Sequence, residues 1–344
     1  MLALRPVALG IGLVDTPGGR KFHIGDVPIM GGVAMFVGIF TGISILPIPG
    51  NILLNMFIAS SILVTIGVLD DRFGLSTSAR LASQVVVVIL MFFGAGLSLT
   101  DIGDPFGTGI ISMGRFSLIF TTLVFVAMIN AYNFVDGADG LAGSLALIGL
   151  LAISVVSGLS NVWGAVAFSV SASIIGFLLF NFPTILNRPF RAFMGDAGST
   201  LLGFTMAWVT LSVCQGSERV ISPVYCLWFA AIPIFDFMTC FVRRVMRGRS
   251  PFTPGRGHFH HILERGSNRV RRALGILTGL QLVYAIVALV CHFALVPDVV
   301  MFAAWSVLGL TQRSVIWQIS KYRRFFRIKK IRRERVTRPQ AATV

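Results

Sequence analysis

Acidic residues are scarce in this chain, with 14 Asp and Glu among 344 residues, and charged residues of both signs make up only 12%. A soluble domain carries roughly a quarter charged residues. The shortfall excludes an ordinary soluble enzyme and points to burial in lipid, as does a mean hydropathy of +0.83. Cysteine is sparse too. Cys214, Cys226, Cys240 and Cys291 fall in or beside apolar runs, with no CxxC or Cys/His spacing. That excludes a zinc cluster and a disulfide framework. No repeat of 20–50 residues, no low-complexity segment and no cleavable signal pattern occurs. Leu2–Val14 is apolar but short and lacks a small-residue cleavage site, so it reads as a shortened first membrane helix. No basic face is interleaved with aromatics, so the net charge of +15 does not indicate nucleic-acid binding.

Long apolar runs are abundant. A membrane helix needs about 20 mainly apolar residues and must satisfy its own backbone hydrogen bonds. Such runs lie near 1–14, 29–47, 51–69, 81–99, 116–134, 140–158, 161–182, 198–215, 222–241, 273–293 and 296–312. The expectation is an all-α, polytopic integral membrane protein of 10–11 transmembrane helices with a cytoplasmic active-site cleft. Residues 1–312 form one catalytic domain and 313–344 a basic cytoplasmic tail. With the loops at 15–28, 70–80, 135–139, 183–197 and 242–272 and the tail on one side, that side holds 26 of the 29 Lys and Arg. Arg5, Arg115 and Arg219 remain on the other. Such a bias marks the basic side as cytoplasmic and reflects attraction to anionic lipid.

The few acids are not scattered. Asp70, Asp71, Asp136, Asp139, Asp196 and Asp236 lie at the edges of apolar runs, on or near the basic side. A charged side chain at a bilayer centre costs about 2.5 kcal/mol or more. At a helix end it can reach water, a cation or a polar ligand, so this grouping points to a shared site for metal and phosphate.

Asp70-Asp71-Arg72 ends one run, and Arg80 opens the next, placed to hold an anion. Adjacent carboxylates repel unless a cation is near. Asn130, Asn133 and Asp136 are three apart and share a helix face; Gly137 and Gly140 then let the backbone turn beside Asp139. Amide and carboxylate oxygens are hard donors suited to Mg²⁺. Asn181-Phe182-Pro183 precedes Phe193-Met194-Gly195-Asp196, where a helix N-terminus can hold an anion or its metal. The longest basic loop ends in Arg256-Gly257-His258-Phe259-His260-His261, which suits phosphate or sugar hydroxyls better than zinc. Lys21 sits in a basic interfacial loop ahead of Pro28-Ile29-Met30-Gly31-Gly32. His292, inside an apolar run, reads as a core residue.

In this order the motifs resemble the polyprenyl-phosphate N-acetylhexosamine-1-phosphate transferase family from Lys21 to His261, and the N-acetylglucosamine branch more than the muramoyl-pentapeptide branch. Gly255 departs from the acid usual in the family at that place. The resemblance implies transfer of a sugar-1-phosphate from a UDP-N-acetylhexosamine to undecaprenyl phosphate, with release of UMP. This would be the first membrane step of a cell-surface glycan pathway such as O-antigen synthesis, in the bacterial inner membrane. It implies Mg²⁺, or alternatively Mn²⁺, held by Asn133 and Asp196, and a homodimer. It places Asp139 and Phe193 near the uracil and Arg80 near the pyrophosphate. Arg256, His258 and His260 fall near the sugar phosphate, and Asp70 and Asp71 near the lipid phosphate. Lys21, Asn181 and His261 join the expected substrate contacts, and Asp70, Asp71, Asp136 and Asp139 the catalytic set.

Alternatives remain at this stage. A muramoyl-pentapeptide enzyme is the nearest. A CDP-alcohol phosphotransferase wants Ala-Arg after the glycine, where Leu141-Ala142-Gly143-Ser144 stands. An ion-coupled transporter predicts acids at mid-span or on both sides, together with inverted repeats.

Overall fold

The computed structural model describes residues 1–16, 25–183, 190–216, 219–248, 259, 269–315 and 318. Every apolar run from residue 29 onward becomes helical. In chain order these are α2 (Gly31–Ile43), α3 (Gly50–Phe73), α4 (Thr77–Gly94), α5 (Ser117–Val135), α6 (Leu141–Ser157), α7 (Val162–Asn181) and α8 (Gly195–Cys214). Then come α9 (Pro223–Phe229), α10 (Ala231–Val245), α11 (Arg269–Phe293) and α12 (298–315). Among the described residues six helices are long and apolar enough to cross a membrane, or seven if α9 and α10 count as one bent span; α2 and α6 are shorter apolar helices. The protein is an all-α, multi-pass membrane protein.

Two runs depart from a simple span. The run at 222–241 is broken at Ala230, where α9 and α10 meet at 87°. Pro233 was the available signal: it lies in the first turn of α10, where its missing N–H costs nothing. The run at 1–14 is not one membrane helix. It forms a 3₁₀ turn (Leu2–Leu4), the short α1 (Arg5–Gly10) and strand β1 (Val14–Asp15), which pairs antiparallel with β2 (Val27–Pro28). Ala8 and Leu13 pack with Met30 and Ala192, and the Arg5 guanidinium lies over Phe190 at 6.0 Å. Arg5 therefore belongs to the basic end, not the opposite side expected for it.

Local chemistry sets the helix ends. Gly74 adopts φ +67° and its N–H closes α3 on the Asp70 carbonyl. Ser76 caps α4 by accepting the Ala79 N–H. Asn161 caps α7 and Ser222 caps α9. These are side-chain acceptors for the otherwise unpaired first N–H groups of a helix.

Helix α8 is the centre. In its apolar window 89% of residues are buried, against 22% to 44% in the other five candidate spans. Its first turn is wedged between α2 and α3 at two glycines. A Cβ on Gly32 would collide with the Ala197–Gly198 backbone, and one on Gly67 with Ala197. The Gly31-Gly32 pair therefore supplies close packing, and that packing positions Asp196.

Candidate active site

Three helix ends converge on one cleft. At the end of α3, Asp70 is buried and accepts hydrogen bonds from Leu75 N at 2.6 Å and from Arg80 Nη1 at 3.0 Å. The Gly74 reversal and the Ser76 cap bring Arg80, in the first turn of α4, back onto Asp70. Its neighbour Asp71 accepts from the backbone N–H groups of Asp196 at 2.8 Å and Ala197 at 3.3 Å. Asp71 thus places a carboxylate against the positive N-terminus of α8.

From α5, Asn133 donates its amide N–H to Asp196 Oδ1 at 2.5 Å and to Ser199 Oγ at 3.0 Å. Arg80 Nη1 is also 3.8 Å from Asp196 Oδ2, and the Asp70 and Asp196 carboxyls are in hydrogen-bonding contact. Carboxyls that close repel unless a proton or a cation lies between them. Asp136 caps the end of α5. Burial, then the charges of Asp196, Asp71 and Asp139, push it well above the usual carboxylate range. Leu63, Ile66, Leu81 and Phe134 line the cleft together with Asp70, Arg80, Asn133 and Asp196.

A second group lies beside it. Asp139 pairs with Arg191, whose guanidinium sits over the Phe193 ring at 4.9 Å. Asn181 is buried; it accepts the Gly140 N–H at 2.7 Å and donates to the Ala192 carbonyl at 2.9 Å. Both ends of its amide are engaged by backbone, so its geometry is that of a tie between the 136–140 turn and the 190–193 segment. Phe193 is fixed by its N–H to Pro28 and its carbonyl to Gly31 N–H.

The cluster therefore gathers Asp70, Asp71, Arg80, Asn133, Asp136 and Asp196, with Asp139, Phe193 and Asn181 at its flank. Lys21, Arg256, His258, His260 and His261 lie outside the described residues. Sequence reasoning missed Arg191, the partner of Asp139, and Gln84, which accepts the Asn130 amide at 2.7 Å. Neither carries a motif signal, since each contact joins residues more than 40 apart.

No three His, Cys, Asp or Glu among the described residues form a ready-made metal cage. Mg²⁺ usually takes one or two carboxylates and completes its shell with water and substrate phosphates. The neighbouring carboxylates of Asp196 and Asp70, with the Asn133 amide beside them, fit such an ion.

Residues 53–214 match the family described as glycosyl transferase family 4. The chain is similar to proteins named undecaprenyl-phosphate alpha-N-acetylglucosaminyl 1-phosphate transferase in three bacteria. Identity is 37% with that of Escherichia coli O157:H7, covering 96% of this chain and 90% of the relative. It is 35% with that of Yersinia pestis, covering 95% and 91%. It is 33% with that of Haemophilus influenzae, covering 96% of both. The chain belongs to glycosyl transferase family 4.

Proposed function

We propose that this enzyme transfers N-acetylglucosamine-1-phosphate from UDP-N-acetylglucosamine to undecaprenyl phosphate and releases UMP, at the cytoplasmic face of the bacterial inner membrane. The observation that carries the reading is the convergence of Asp70, Arg80, Asn133 and Asp196 in one cleft that also has apolar lining. It occurs in a chain alike over nearly its full length to proteins of that name. The muramoyl-pentapeptide alternative is not favoured by those names.

The donor is a water-soluble anion and the acceptor a lipid whose phosphate lies at the interface. A cleft lined by both polar and apolar side chains at a helix end admits both. An oxygen of the lipid phosphate attacks the β-phosphorus of the donor, and the bond from that phosphorus to the bridging oxygen breaks. UMP leaves with the electron pair. A phosphomonoester has its second pKa near 6, so the nucleophile needs little help from a base. Arg80 steadies the phosphates, released from Asp70 and Asp196 by a stronger anion. Asp71 holds the first turn of α8, and so keeps Asp196 aimed at the cleft. Arg256, His258, His260 and His261 contact the sugar phosphate, Lys21 an anionic group, and Asp139 and Phe193 the uracil side. Asp196 and Asn133 would hold a magnesium ion, which would supply neutralisation of charge on the departing phosphate. Asp70 or Asp71 as a covalent nucleophile is the second reading, favoured for Asp70 by its place in the cleft lining. Slow turnover persisting when each is replaced by Asn removes it.

The test is UMP release by purified protein in detergent with undecaprenyl phosphate and Mg²⁺. UDP-N-acetylglucosamine, UDP-N-acetylgalactosamine and UDP-muramoyl-pentapeptide are supplied separately. Release with the first alone, lost on adding EDTA, is the expected result. Release only with another donor moves the sugar, and release with none removes the reading.

A further inference from the structure

Asp236 is an acid that the cleft chemistry does not use. It lies on α10 with 0% exposure, and its Oδ1 accepts the backbone N–H of Phe259 at 2.8 Å. Phe259 is itself 1% exposed and belongs to the main hydrophobic core. In the sequence it stands between His258 and His260, inside the Arg256–His261 motif.

A buried carboxylate is costly unless its charge and lone pairs are matched, and an apolar residue of similar size often serves stability as well. Helix α10 satisfies its own backbone and does not need Asp236 for that. The carboxylate instead reaches a backbone group 23 residues further along the chain. The same helix touches the wall of the cleft. Phe237 packs on Phe134 with ring centroids 5.7 Å apart, and the Arg244 guanidinium lies over Phe134 at 5.2 Å. Phe134 lines the cleft with Asn133 and Asp196. One rigid element therefore holds both a fixed point of the histidine motif and one wall of the cleft.

We propose that Asp236 is a positioning residue: it latches Phe259, the residue between His258 and His260 of the motif, to the helix that packs on the cleft-lining Phe134. Asp236 touches no substrate. Its part is to lower the ordering cost of a loop that must meet the donor. The assignment rests on the transferase reading above.

The test uses the full chain in detergent, with Asp236→Ala, Asp236→Asn and Phe259→Ala compared with wild type. Two readouts are taken: trypsin cleavage at Arg249, Arg256 and Arg265 well below the unfolding temperature, and kcat and KM for UDP-N-acetylglucosamine. Asp236→Ala and Phe259→Ala should be cut in this loop about tenfold faster and should raise the donor KM about tenfold. Their KM for undecaprenyl phosphate should stay within about twofold. Asp236→Asn keeps an oxygen for the Phe259 N–H and should lie within about threefold of wild type in both readouts. Unchanged cleavage in the Ala variants overturns the latch. Faster cleavage with unchanged donor KM overturns its role in positioning, and an Asn variant as impaired as Ala overturns the hydrogen bond as its means. If Asp236→Ala does not fold, Phe259→Ala, which leaves no new charge in the core, decides alone. If wild type releases no UMP from any donor, the transferase reading fails, and the cleavage rates still decide the latch.

Discussion

At the end of the bundle away from the basic loops, Asp101 is held by Arg219 at 2.9 Å, and Asp298 accepts from Ser222 Oγ and from the Asp104 N–H at 3.0 Å. Asp104 in turn accepts the Gly109 N–H at 3.0 Å. Each of these acids ties a loop through a donor of its own. At the basic end, carboxyl groups face one another: Asp196 touches Asp70, and Asp136 lies in the field of Asp196, Asp71 and Asp139. Loop tying needs donors beside acids; it does not need acids beside acids. The crowding at the basic end works against the fold unless a cation or a phosphate-binding task offsets it. The two ends serve as each other's control.

The sharpest break in that comparison comes from Asp196→Ala against Asp101→Ala. The inner variant should lose about 10³-fold or more in UMP release, as expected when a group acting on developing charge is removed. The outer one should keep kcat/KM within about twofold and lower the thermal midpoint by a few degrees. Full activity in Asp196→Ala would take Asp196 out of the site.

Next come the two arginines. Arg80→Gln removes a cation shared by Asp70 and Asp196 and should lower kcat/KM about 10²-fold, with most of the activity regained in Arg80→Lys. Arg219→Gln removes a cation used only at a loop and should leave kcat/KM within about twofold. Equal losses in both would make Arg80 another structural tie.

Much of the inner cluster was legible in the sequence because its geometry is local. Gly74 and Ser76 dictate the reversal that returns Arg80 to Asp70, and helical spacing places Asn133 one turn before Asp136. The remainder depends on contacts between distant parts of the chain. Nothing near Asp139 announces Arg191, and nothing near Asp236 announces Phe259. Asn181 shows the limit most clearly. Read as a substrate contact, it is buried with its amide between two backbone groups. The N-terminal run misled for a related reason: apolarity fits packing against Met30 and Ala192 as well as it fits lipid.

Asn181 has a counterpart at the outer end, which makes its role testable. Gln215 is also buried; it accepts from Thr100 N at 2.8 Å and donates to the Asp101 carbonyl at 3.0 Å. Truncated to Ala, Asn181 leaves the buried Gly140 N–H and Ala192 carbonyl without its amide, at a cost of about 1–3 kcal/mol each, and Gln215 leaves half-buried loop groups without theirs, at a smaller cost. Both variants should therefore melt earlier. Asn181→Ala should also lower kcat/KM about tenfold, because it frees the segments that carry Asp139 and Phe193, whereas Gln215→Ala should not. Matching activities at matched stability would return Asn181 to the plain loop ties.

The smallest expected effect concerns pH. A carboxyl whose pKa is higher in the folded than in the unfolded protein favours folding at low pH. That advantage disappears as pH climbs from the unfolded value near 4 toward the folded one. Asp136 is raised well above the ordinary range by burial and by Asp196, Asp71 and Asp139. Asp136→Asn, melted in EDTA, should gain a few degrees over wild type at pH 8 and little at pH 4.5, where wild-type Asp136 is protonated anyway. Asp101→Asn, which weakens an ion pair, should lose stability and gain none at pH 8. A gain for Asp136→Asn of the same size at both pH values would assign it to packing, and with it would go the claim that like charge at the basic end is held against the fold.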